Sequence, residues 1–153
     1  MALFFGTYLN KVDSKGRVSV PASFRAELEG QRRAGVVAAP SLKHAAVQCA
    51  GVEWMDEINQ QISHLNFLSD EHDDLTASLL GDTSHLMFDS EGRILLPESL
   101  ARHAVIDGTA AFIGRGRFFE IWEPKALEAH KAAARKRALE KGLTLPARAD
   151  DRK

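Results

Sequence analysis

Apolar and polar residues along this chain follow two periods in alternation, and the switches between them mark out its elements. Residues 4–12 (FFGTYLNKV) are aromatic and β-branched enough for a strand. Val18 and Val20 then alternate with Arg17 and Ser19, the period of a strand with one buried face. Pro21 ends that strand and opens a short helix, ASFRAELE, which Gly30 stops. VVAA at 36–39 is broken by Pro40 and Ser41, and AAVQCA at 45–50 returns as its hairpin partner. Residues 52–66 place Trp54, Met55, Ile58, Ile62 and Leu65 at helical spacing. Ser69 is a good N-cap for a second helix reaching Leu80, with Asp70 and Glu71 in its electropositive first turn.

The pattern then repeats. HLMF at 85–88 leads into a strand after Arg93, Pro97 opens the helix ESLARHAV, and Asp107-Gly108 signals a turn. TAAFIG and RFFEIW form a strand pair around Gly114-Arg115-Gly116, with Phe118, Phe119 and Trp122 expected in the core. Pro124 and Gly142 bracket a long helix of strong helix formers, and 143–153 is expected to be mobile. DSKGRVSVP (13–21) and DSEGRILLP (89–97) share Asp, Ser, Gly, Arg and Pro at identical steps, the mark of an internal duplication. In each copy the Asp and Ser oxygens favour a turn, and Gly16 or Gly92 permits a positive φ. Each unit is a strand, a tight turn, a strand and a short helix. At about 45 residues a unit is too small for its own core, so the two must pack together.

The chain is 44% hydrophobic and 27% charged, with no apolar run near the length of a membrane span. Its opening, MALFFGTYLN, lacks the basic region of an export signal, and the single Cys49 fits a reducing cytoplasm. The net charge of −1 conceals segregation: seven Lys/Arg against three acids over 1–43, none against ten over 44–92, and thirteen against eight over 93–153. A near-neutral total therefore leaves room for an anionic partner, because fields act locally. The C-terminal helix carries six cations, at 125, 131, 135, 136, 137 and 141. It either touches that anionic partner or, the preferred expectation, faces the acidic 44–92 stretch of its own or a neighbouring subunit.

Enzyme signals are weak. Histidines 44, 64, 72, 85, 103 and 130 show no metal-ligand spacing, and Cys49 has no catalytic partner at motif level. Acids at a helix start explain EHDD (71–74) better than a metal site does. GRGR at 114–117 is a turn rather than a phosphate loop. No cofactor and no small-molecule substrate is expected.

The tandem motifs, the opening FFGTYLNKVDSKGR and the closing FIGRGRFFEIWEP resemble the MraZ family of bacterial transcription regulators, from about residue 4 to residue 124. The resemblance implies an α+β fold of two tandem AbrB-like swapped-hairpin units, forming a small barrel-like core with pseudo-two-fold symmetry and flanking helices. The units fall at 4–52 and 82–124, joined by acidic helices over 53–81 and followed by a basic helix and tail over 125–153. It further implies a ring-shaped homo-oligomer that binds short direct repeats in promoter DNA, usually as a repressor of the cell-division and cell-wall gene cluster, in the cytoplasm on the nucleoid. Where many members carry Thr-Arg-Gly after the first post-helix strand, this chain has VVAAPSLKH, so no role for that arginine carries over.

Affinity for DNA depends on Lys and Arg neutralising phosphates, and specificity on contacts to base edges. A two-stranded β-ribbon fits the major groove. The candidate contacts are Lys11, Lys15, Gly16 and Arg17 in the first unit and Arg93 in the second. Arg17 has the fork for a guanine edge, and Lys15 suits a phosphate. Asp13, Asp89 and Gly92 are assigned to building the turns, since a carboxylate facing phosphate repels it. The competing assignment for Arg17 and Arg93 is an ion pair with Asp13, Asp89 or a helix residue. Glu91 replaces Lys15 in the second turn, so the units need not touch DNA equally. Arg25, Arg32 and Arg33 either add nonspecific phosphate contacts or, the preferred expectation, form a solvated face. Two rival functions are an AbrB-like antitoxin and an oligomeric scaffold whose arginine-bearing turns bind protein acids.

Overall fold

The computed structural model describes residues 2–148. The first unit runs β1 (Thr7–Lys11), β2 (Arg17–Ser19), α1 (Ala22–Glu29), β3 (Val36–Pro40) and β4 (Val47–Ala50). Two helices follow, α2 (Val52–Ile62) and α3 (Asp70–Leu75), the latter running on into a π-helical turn at Thr76–Leu80. The second unit runs β5 (Ser84–Leu86), β6 (Arg93–Leu95), α4 (Glu98–His103), β7 (Thr109–Gly114) and β8 (Phe119–Trp122), and α5 (Pro124–Glu140) closes the order. Local chemistry sets the helix ends as the sequence leads one to expect. The Ser69 hydroxyl accepts the His72 N–H at 3.1 Å, and Pro124 sits at the start of α5 behind Glu123, whose carboxylate accepts from Lys125 and Ala126.

Pairing is antiparallel throughout, in a six-stranded sheet ordered β1-β7-β8-β4-β3-β5 and a separate ribbon, β2-β6. That order is the same from either end once each strand is exchanged for its counterpart in the other unit. β1 pairs with β7 of the second unit, β5 pairs with β3 of the first, and the hairpins β3-β4 and β7-β8 meet along β4-β8. Neither unit completes its sheet alone, which is how two pieces this small acquire a common core.

The core straddles the units. Phe4 and Phe24 of the first meet Phe119 of the second at ring-centroid distances of 5.0 and 4.9 Å, all three fully buried. Each such ring contributes roughly 1.5–3 kcal/mol by leaving water. Trp122 is buried as expected, while Phe118 lies at the margin, stacked on Trp54 at 5.2 Å.

The sheet is open, which corrects the barrel-like expectation. β1 and β5 are its two edges, and β2 joins the end of β1 through a single bridge, Val12 to Val18, among the described residues. Three-residue strands are too short to zip both edges together, and they pair with each other instead. The opening strand starts at Thr7 rather than Phe4 because Gly6 turns out of the ladder at φ +93°, leaving Phe4 to bridge Gly116. The helix over 52–66 ends at Ile62. Residues 149–153 of the expected mobile tail lie outside the described residues. No described helix is long and apolar enough to cross a membrane.

Candidate nucleic-acid interface

Each duplicated motif folds into the same turn around its aspartate. Asp13 Oδ1 accepts the N–H groups of Lys15 and Arg17, both at 2.9 Å, and its Oδ2 accepts Arg17 Nε at 2.7 Å. Asp89 does the same for Glu91 and Arg93, with 2.9 Å to each N–H and 2.8 Å to Arg93 Nε. Gly16 (φ +89°) and Gly92 (φ +75°) take the left-handed step in each turn. The N–H of Arg17, then the Arg17 side chain and the Lys15 N–H, hold the Asp13 carboxyl below the usual carboxylate range. The N–H of Arg93 leads the same effect on Asp89, and the Asp89 hydrogen bond in return raises Arg93.

The ion pair weighed against DNA contact for both arginines is therefore present. It engages only Nε of Arg17, whose side chain remains 37% exposed. Arg93 is drawn in further: its Nη2 also reaches Glu91 at 3.4 Å and the side chain is 27% exposed. Tethering at Nε removes rotamer freedom from the Arg17 guanidinium and leaves its two Nη groups outside the ion pair, whereas Arg93 spends one of them on Glu91.

Register places both side chains on one surface. In the β2-β6 ribbon Arg17 faces Leu95, Val18 faces Ile94 and Ser19 faces Arg93. Val18 and Ile94 point inward and are fully buried, so alternation leaves Arg17, Ser19, Arg93 and Leu95 on the outer face. Lys15 is exposed in the first turn and Lys11 at the end of β1; neither is ion-paired among the described residues.

Several neighbours of this surface escaped the sequence reading. Arg25, from α1, lies directly over Gly92 in the space a Cβ there would fill, while Gly16 has no cation over it. Asn10 Nδ2 donates to the Ser19 carbonyl at 2.7 Å, fastening β2 to β1. Arg32 and Arg33 are exposed, as a solvated face requires, and pair at the surface with Glu53 and Asp56 of α2. Such contacts join residues far apart in the chain, and no local signal announces them.

Comparison with known proteins bears on this arrangement. The family model described as "MraZ protein, putative antitoxin-like" matches residues 3–41 and 79–147. The chain belongs to the MraZ family. It is 42% identical over 145 residues to a protein of Rickettsia canadensis (strain McKiel) named transcriptional regulator MraZ, covering 95% of this chain and 97% of that one. It is 43% identical over 145 residues to the same-named protein of Rickettsia rickettsii (strain Sheila Smith), with the same coverage. A Gluconacetobacter diazotrophicus protein of that name is 42% identical over 150 residues, 96% of this chain and 94% of that one. Both duplicated turns fall inside the stretches that the MraZ model matches, and α2 and α3 fall between them.

Proposed function

We propose that this MraZ-family chain is a sequence-specific DNA-binding transcription regulator. It acts as a repressor on short direct repeats upstream of cell-division and cell-wall genes, in the cytoplasm on the nucleoid, and needs no cofactor. The observation that carries the reading is the outer face of the β2-β6 ribbon, with two tethered guanidiniums flanked by Ser19 and Leu95. The relatives' shared name as transcriptional regulators supports the function class.

In this reading the two units are AbrB-like. Arg17 presents its fork to guanine O6 and N7, worth roughly 1–3 kcal/mol of discrimination. Lys15 and Lys11 neutralise phosphates, and Gly16 lets the backbone come close. Arg93 makes the second arginine contact, from a turn whose Glu91 alters what it accepts. One ribbon offers few contacts, and a ring of identical chains repeats it along successive DNA repeats, adding avidity through effective concentration. The family description keeps an antitoxin in view, and the tandem units argue against it.

The test is a gel-shift titration with DNA from upstream of the chain's own gene, against a shuffled duplex. Arg17→Ala should abolish the preference while leaving the assembly's mass intact. Unchanged sequence-specific binding by that variant overturns the assignment.

A further inference from the structure

The acids of α2 find their counter-charge away from α5. Glu53 takes Arg32 at 3.2 Å, Asp56 takes Arg33, and Glu57 takes Arg117 from the β7-β8 turn. Of the expected facing of the C-terminal helix to the acidic 44–92 stretch in its own or a neighbouring subunit, the form within one chain is not seen among the described residues. Among the described residues the ion pairs of α5 stay inside the helix, Lys131 to Glu128 at 3.7 Å and Lys136 to Glu140 at 4.0 Å. Lys125, Arg135, Arg137 and Lys141 pair with no carboxylate there.

The helix is nevertheless fixed to the body. Leu127 is buried beside Ala46, Ala111 and Trp122, His130 stacks on Trp122 at 4.9 Å, and Lys131 Nζ donates to Thr7 Oγ1 at 3.3 Å. Between α5 and β7 runs an open groove of about 720 Å³, with Arg115, His130, Lys131 and Arg135 on its walls. Arg115 is held in place by Glu120, a 3%-exposed carboxylate at 2.9 Å that also accepts Trp122 Nε1 at 3.1 Å. The acid on the groove wall, Glu128, is the one beside Lys131. Cations from two separate elements thus converge on one concave surface.

One cation of that surface is tied to the strand that leads into the first turn. Lys131 meets Thr7 at the start of β1, and Asp13 lies six residues further on. At strand rise this is about 20 Å. One DNA strand carries a charge every ~3.4 Å, so the span corresponds to about six phosphates.

We propose that the α5-β7 groove binds the phosphate backbone of double-stranded DNA, as a sequence-independent contact beside the base-reading ribbon. The proposal rests on the DNA-binding reading above. Lys131 and Arg135 supply the charge from the helix, one turn apart, and Arg115 lines the groove from the body.

The experiment titrates the full chain with the upstream duplex and with a shuffled duplex over a range of salt, alongside Lys131→Gln/Arg135→Gln and Arg135→Gln alone. Glutamine keeps helix propensity, so circular dichroism should match the parent. The double variant should bind both duplexes more weakly by the same factor. Its log–log salt slope should be shallower by about 0.9 for each phosphate left unneutralised per bound subunit, with the preference between duplexes unchanged. Slopes and affinities equal to the parent's overturn the proposal. So does an altered assembly mass at unchanged slope, which assigns α5 to the acidic stretch of a second copy. A parent that binds both duplexes equally defeats sequence-specific reading alone, since the groove is still judged by its slope.

Discussion

Val18 stands directly opposite Ile94 in the β2-β6 ribbon, and the two occupy the same place in their duplicated motifs. A local two-fold axis therefore passes between them. The bonds on either side obey it: Leu96 N–H donates to the Gly16 carbonyl at 2.9 Å and Val20 N–H to the Gly92 carbonyl at 3.3 Å. The chain pairs with itself here as two identical subunits would.

Acid should loosen both turns. Asp13 and Asp89 have folded-state pKa values below the ordinary carboxylate value of about 3.9, chiefly because backbone N–H groups of Arg17 and Arg93 favour the ionised form. Their contribution is complete above that ordinary value and disappears as pH falls through the depressed one. Amide protection at Lys15, Arg17, Glu91 and Arg93, taken relative to the intrinsic exchange rate at each pH, should fall below about pH 4. Asp13→Asn with Asp89→Asn should give fast exchange at neutral pH. Protection that ignores pH in the parent contradicts this account.

The two turn glycines should respond unequally to alanine. At Gly16 a Cβ meets only the Leu96 carbonyl at 3.3 Å and Leu95, so Gly16→Ala should cost about 1–2 kcal/mol, the left-handed penalty. At Gly92 a Cβ collides with the Arg25 guanidinium as well, and Gly92→Ala should cost more. Urea unfolding of both variants measures the difference. Adding Arg25→Ala should recover part of the Gly92→Ala loss and none of the Gly16→Ala loss.

Val105 should be replaceable to advantage. It is a β-branched residue at φ +54° just past α4, 69% exposed, so it carries a backbone penalty and gains little packing. Val105→Gly should stabilise the fold by about 1 kcal/mol, raising Tm by about 2–4 °C at this chain length. A lower Tm would show that the side chain packs in solution.

The anchorage of α5 should weaken on mild acidification. Burial, then His44, Arg115 and Arg137, lower the pKa of His130, against a smaller opposing pull from Glu120. The His44 ring lies against His130 at 4.6 Å, tilted by 57°. A depressed histidine pKa means the docked helix favours the neutral ring, so docking is full above about pH 6.5 and is lost as pH falls below it. Trp122 fluorescence in a Trp54→Phe background should report the change. His130→Phe keeps the stack and should flatten the pH dependence.

Local order was legible because its causes are local. The Ser69 cap, the proline starts of three helices and the inward valines of β2 each depend on residues within a few steps. Strand partnership depends on residues far apart, and nothing near β1 states that it pairs with β7 rather than within its own half. The two motif arginines show the limit most clearly. A four-residue separation from Asp13 to Arg17 suits both a braced turn and a side chain held out for a ligand, and the fold shows the brace on the outer face of the ribbon. Arg25 over Gly92, and His44 against His130, are meetings across tens of residues that only the folded chain brings about.

The interchange of β1 and β5 between halves also bears on how the molecule can change. In a dimer of separate identical chains, every substitution strikes twice, once on each side of the axis. Joining the halves in one polypeptide releases them from that constraint. Lys15 stands where its twin is Glu91, and Arg25 where its twin is Ala101, so one side of the dyad carries cations where the other has none.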